Sequence, residues 1–160
     1  MARSADALLY DADNLPTTGR GTILFDVLAS PILAPGANYM VVMSDGSTTD
    51  NIGIQGDSLS GGINKGLIFN RTGGTLDVAV VVPTVDLADG VVHEMRGYWT
   101  DGVEMNAKVD STAGTADTAF TLFTGFDEVA IGTLGDGSDP SGEYVVGHVR
   151  IYKRARTTGG

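Results

Sequence analysis

An antiparallel all-β fold, a two-sheet sandwich or a barrel with little or no helix, is the class this sequence predicts, and three observations carry it. Apolar and polar residues alternate with a period of two through most of the chain. Short turn sequences rich in Gly and Asp recur between the alternating runs. No segment shows a capped helical stripe, and the composition agrees. Sixteen Asp stand against four Glu, with 23 Gly in 160 residues. Asp favours turns because its carboxylate bonds nearby backbone N–H groups.

The strands follow in order. TILFDVL places Ile23, Phe25 and Val27 on one face, and YMVVM does the same for Tyr39, Val41 and Met43. DNIGIQ contributes Ile52 and Ile54. LDVAVVVP is apolar from Val78 to Val82, which predicts a strand covered on both faces and ended by Pro83, a residue with no N–H to give. VVHEMRGYW sets Val91, Met95 and Trp99 against Glu94, Arg96 and Tyr98. After the hairpin signal Asp101-Gly102, GVEMNAKVD sets Val103, Met105, Ala107 and Val109 against Glu104, Asn106, Lys108 and Asp110. The last strand puts Val145, Gly147, Val149 and Ile151 inward and Tyr144, His148, Arg150 and Tyr152 outward. Turn signals stand at Ser44-Asp45-Gly46, Ser60-Gly61-Gly62, Thr72-Gly73-Gly74, Ala88-Asp89-Gly90 and Gly135-Asp136-Gly137.

The totals bound the function. One domain over 1–160 is expected, with 153–160 as a short basic tail; Arg150, Lys153, Arg154 and Arg156 fall in the last eleven positions. A formal charge of −10 argues against nucleic acid as a partner. The absence of cysteine excludes disulfides, thiolate catalysis and Cys-based zinc sites. MARSADALLYDADNLP lacks the apolar core of a signal peptide and no run reaches membrane-spanning length, so synthesis in the cytoplasm without a membrane partner is expected. Asn70-Arg71-Thr72 matches a glycosylation sequon and reads as a turn.

Three stretches resemble the laminin-G-like, concanavalin-A-like jelly-roll family. They are GRGTILFDVLA, HEMRGYWTDGVEMNAKVDS and FDEVAIGTLGDGSDPSGEYVVGHVRIYKRA. The family pattern is matched by Gly21 to Phe25, by His93 with Asp101-Gly102 and Asp110, by Ile131-Gly132, and by Val149 to Ala155. The resemblance implies an all-β, antiparallel two-sheet jelly-roll sandwich. Because such domains are widespread on bacteriophage virions, it also implies a non-catalytic structural or decoration protein of a virus particle. Its partners there would be other virion proteins, copies of itself and host or environmental glycans. The alternative is a soluble, lectin-like carbohydrate-binding module.

Candidate chemistry is sparse. Some glucanases share the jelly roll, yet Glu94, Glu104, Glu128 and Glu143 form no carboxylate array of the kind their chemistry needs, so no catalytic residue is assigned. No Gly-x-Ser-x-Gly elbow is present. His93 reads as a satisfied inner-face residue and His148 as surface. Tyr98, Tyr144 and Tyr152 are the candidate outward rings on which a sugar could stack. Asp136, Asp139 and Glu143 form a pliant acidic loop suited to calcium, the one cofactor considered, and Ser44 to Asn51 is a second such loop. Lys153, Arg154 and Arg156 are the candidate partner-docking residues, with solubility and charge balance as their other reading.

Overall fold

The computed structural model describes residues 8–11, 15–16, 19–29, 37–57, 64–133 and 144–156. These residues form two packed antiparallel sheets with no helix among them, the β-sandwich jelly roll that the sequence predicts. Strands β1 (Leu8–Asp11), β10 (Glu128–Ile131), β3 (Ala37–Ser44), β4 (Asn51–Asp57), β5 (Lys65–Thr72) and β6 (Thr75–Val82) make a six-stranded sheet in that order. The second sheet runs β11 (Tyr144–Tyr152), β2 (Arg20–Ala29), β7 (His93–Thr100), β8 (Glu104–Val109) and β9 (Thr112–Ala113).

The alternating sets meet between the sheets. Ile23, Phe25 and Val27 from β2 pack with Met95 and Trp99 from β7 and Met105, Ala107 and Val109 from β8. Opposite them lie Val41, Met43, Ile52, Ile54 and Ile68. Trp99 is fully buried, and its ring lies over Gly21 on the paired strand, where any side chain would collide with it. Thr72 pairs with Thr75 across Gly73 and Gly74, at φ of 57° and 79°, the two left-handed positions of a tight hairpin turn.

Several expectations are corrected. Tyr39 does not share the face of Val41 and Met43, because a register shift between Tyr39 and Val41 turns it to the outer side of its sheet. There Tyr39, Val42, Leu67 and Phe69 form a second apolar cluster, each at most 2% exposed. Strand β6 is an edge strand: Val80 and Val82 face the core, but Ala79 is exposed and Val81 half-buried. A short apolar run has the same pattern in a central or an edge position. Val91 and Val103 precede their strands and are 57% and 58% exposed.

The connection from Gly114 to Asp127 carries no alternating signal, yet it supplies Phe120, Leu122, Phe123 and Phe126 to the core. It is tied down by side chains. Leu122 N–H donates to Asp101 Oδ1 at 3.0 Å, Thr121 N–H to Asp77 Oδ2 at 3.0 Å, and Asn70 Nδ2 to the Thr121 carbonyl at 2.9 Å. Asn70 is therefore a buried strand residue and not the turn its sequon suggests.

Candidate functional site

The last strand decides where the polar residues go. A bulge between Gly147 and Arg150 breaks the register of β11 against β2, with His148 in the left-handed region at φ 52°. A one-residue slip exchanges the two faces of a strand. Beyond the bulge Val149 and Ile151 pack inward as expected, but before it the inward residues are Tyr144 and Val146, while Val145 is 66% exposed. Tyr144 is thus no surface platform: it is half-buried, and a Cβ added at Gly56 would lie 2.6 Å from its hydroxyl.

On the outer face of the five-stranded sheet, the register aligns side chains in rows. Tyr152 lies opposite Thr22, which lies opposite Tyr98, which faces Asn106. The next row is Arg150, Leu24, Arg96 and Lys108. In the third, Asp26 lies opposite Glu94, and His148 Nδ1 meets Asp26 Oδ2 at 2.8 Å. Arg96 Nη2 donates to Glu94 Oε1 at 2.8 Å within the face. Two of the three candidate tyrosines, Tyr98 and Tyr152, therefore stand in one row although 54 positions separate them. Tyr98 offers no open ring, being 4% exposed with the Lys108 ammonium 5.8 Å from its centroid. Burial, and then the charge of Glu104, push its phenol above the usual value.

The basic tail folds back onto the same face. The buried Thr22 hydroxyl donates to the Arg154 carbonyl and accepts from the Arg156 N–H, both at 2.8 Å. The Arg156 guanidinium stacks 3.9 Å above the Tyr152 ring. Lys153 and Arg154 are exposed and Arg156 is half-buried, so the segment is seated on its own domain up to Arg156.

His93 is held at the end of β7 between two carboxylates, with Nδ1 2.9 Å from Asp110 Oδ2 and Nε2 3.1 Å from Asp89 Oδ1. Only an imidazolium can donate from both nitrogens. Burial works against that cation, yet the hydrogen bonds and charges of Asp110 and Asp89 together hold its pKa above the ordinary histidine value. The Val91 N–H, aided by His93 against the effect of burial, holds the Asp89 carboxyl below its usual range. Asp110 sits at φ 53° and also accepts from Glu94 N–H at 2.9 Å. This clamp gives the His-strand and following Asp of the family resemblance a structural role.

Two other places bear on ligands. A cleft of about 500 Å³ opens between β10 and β11, lined by Leu15, Val129, Ile131, Val146, Val149 and Ile151 with His148. Asp136, Asp139 and Glu143 lie outside the described residues. In the Ser44 to Asn51 loop, Asp45 Oδ1 accepts from Ser47 N–H at 3.1 Å and Asp50 Oδ1 from Gly73 N–H at 2.7 Å, so the loop braces itself. No group of three metal-ligating side chains occurs among the described residues.

The outer face joins Arg20, Asp26, Glu94, Arg96, Lys108 and Arg150, none of which the sequence singles out as a site. Outward parity on each strand was a visible signal for Glu94, Arg96 and Lys108. The pairing of β11 with β2 was not.

The fold defines a class of jelly-roll sandwiches that includes lectins and carbohydrate-binding modules. No family model and no curated protein matches the chain. Among solved structures it is similar to the carbohydrate-binding module CBM40 of the IT-sialidase from Ruminococcus gnavus, bound to α2,3-sialyllactose. The TM-score is 0.71 at 12% identity, covering 98% of this chain and 91% of that one. Domain 4 of the extracellular arabinanase AbnA from Geobacillus stearothermophilus, in complex with arabinotriose, matches with TM-score 0.66 at 14% identity. The match covers 88% of this chain and spans 64% of that one. CG-16, a homodimeric agglutinin from chicken liver, gives TM-score 0.55 at 14% identity over 91% of this chain and 99% of that one. These likenesses establish the sandwich and lend nothing to the expected placement on a virus particle.

Proposed function

We propose that this chain is a non-catalytic carbohydrate-binding module that holds its glycan on the outer face of the five-stranded sheet. One observation carries the reading: this face presents hydrogen-bonding side chains in registered rows, with Arg150 one row from Tyr152, Lys108 farther along the Arg150 row, and Asp26 opposite Glu94 in the row beyond. Sugar recognition needs such polar groups placed beside an apolar surface. On the corresponding face of the six-stranded sheet the buried cluster of Tyr39, Val42, Leu67 and Phe69 is apolar, whereas the buried residues of the five-stranded face include the polar Thr22, Arg96 and Asn106. The cleft between β10 and β11 is walled by aliphatic groups apart from His148, which Asp26 already engages, so it offers sugar hydroxyls few partners.

The glycan-bound neighbours support the same reading, since the solved complexes of that fold hold sialyllactose and arabinotriose. Asp26 and Glu94 are the carboxylates opposite each other on the face, and each holds a neighbour, His148 or Arg96. The proposal assigns them to binding and not to acid–base chemistry. The test is a glycan array followed by calorimetric titration of the best sialylated, arabinan or other oligosaccharide. Arg150→Ala is expected to weaken binding about tenfold or more, the worth of a charge-assisted hydrogen bond. An array with no saturable ligand rejects the reading, and release of reducing sugar rejects its non-catalytic part. Running each titration with calcium and with chelator tests the accessory role assigned to Asp136, Asp139 and Glu143.

A further inference from the structure

Although the chain carries a formal charge of −10, its cations are gathered on one face. By the parity of their strands Arg20, Arg96, Lys108 and Arg150 lie on the outer side of the five-stranded sheet, with Arg20 and Arg150 exposed, Lys108 half-buried and Arg96 buried against Glu94. The tail adds Lys153, Arg154 and Arg156, which the two hydrogen bonds to Thr22 seat on the same side. That is seven of the ten basic residues in the sequence. Against them the face sets three carboxylates, Asp26, Glu94 and Glu104, on β2, β7 and β8.

We infer that the glycan this face selects is an anionic saccharide, one bearing carboxylate or sulfate groups, with Arg150 as the principal contact to the anion. The inference rests on the carbohydrate-binding reading and narrows it. Arg150 is exposed, stands on the edge strand at the end of the row formed with Leu24, Arg96 and Lys108, and is held in no ion pair among the described residues. Its planar guanidinium matches a carboxylate or sulfate with two parallel N–H donors. Arg20, also exposed, stands on the same face one row beyond Thr22 and Tyr98.

The interspersed carboxylates decide the class of polyanion. A continuous phosphate track is repelled by Asp26, Glu94 and Glu104, and by the charge of the whole chain. Sugar hydroxyls, in contrast, are donors, and ionised carboxylates are acceptors only. A face that alternates guanidinium, carboxylate and phenol rows therefore suits a ligand carrying both an acid group and hydroxyls, which is an acidic sugar.

The experiment compares three oligosaccharides of equal length, an oligogalacturonate, a sulfated galacto-oligosaccharide and its neutral parent, with a single-stranded DNA oligomer as the competing polyanion. Binding is titrated at 50 and 150 mM salt. Expected is at least tenfold tighter binding of one or both anionic sugars than of the neutral one, with the two arms separating carboxylate from sulfate. Arg150→Ala should remove that preference and Arg150→Lys should restore only part of it, with unchanged melting temperatures confirming the fold. Equal affinity for neutral and anionic sugars, indifferent to Arg150→Glu, overturns the inference and leaves the carbohydrate-binding reading intact. Failure of every sugar overturns both, as does tighter binding of the DNA at 150 mM salt.

Discussion

His93 shows how one side chain ties two connections together. Its ring is 7% exposed and spans from Asp89, in the segment before β7, to Asp110, in the turn after β8. Because its folded pKa is raised, the protonated form is the one the fold prefers. The clamp then contributes fully below the unfolded value near 6.5 and is lost as pH rises through the folded value. The melting temperature is expected to fall over that window, and His93→Gln should flatten this component while lowering stability by about 1–2 kcal/mol at pH 6. A variant with the wild-type pH profile would mean that another group sets it. The sequence placed His93 inward and satisfied, which is correct. Its two carboxylate partners were not legible, since one of them follows a further strand.

At the scale of the element, β11 is the segment where pattern and structure part. Read with strict alternation, it turns Tyr144 outward and Val145 inward, and the structure reverses both because the bulge inserts one residue at His148. A left-handed φ costs an L-residue roughly 1–2 kcal/mol, most for a β-branched one and nothing for Gly. His148→Gly is therefore expected to hold stability within about 1 kcal/mol, its exposed pairing with Asp26 being worth little. His148→Val should lose a further 1–2 kcal/mol or so by urea denaturation. Equal stability of the two variants would show that the bulge does not keep this conformation. Where ladders are regular, as in β2, β7 and β8, period-two reading gave the inward set correctly.

For the whole molecule, the tail is the decisive part. As a sequence, Lys153, Arg154 and Arg156 read first as solvated, charge-balancing residues, with a docking arm as the sharper alternative. In the structure Arg156 covers Tyr152, and the chain around it satisfies buried Thr22. Truncation after Tyr152 removes both partners of that hydroxyl. It should destabilise the domain by about 1–3 kcal/mol and expose the Tyr152 ring to solvent quenchers. An unchanged denaturation midpoint would show that the tail is not held. The same fold-back gathers positive charge on a face of an otherwise acidic protein.

The chain by itself determined its class, most of its inward residues and its tight turns, because period-two alternation and turn chemistry are local properties of extended backbone. The jelly-roll topology came through resemblance, carried by the order of a few short motifs. Tertiary structure alone decided the parity beyond each bulge, the partners of His93 and the composition of the outer face. Those depend on register between strands, and register is a relation between distant segments: His148 and Asp26 meet across 122 positions. No local pattern encodes which residue stands opposite which, and on this face that pairing builds the site.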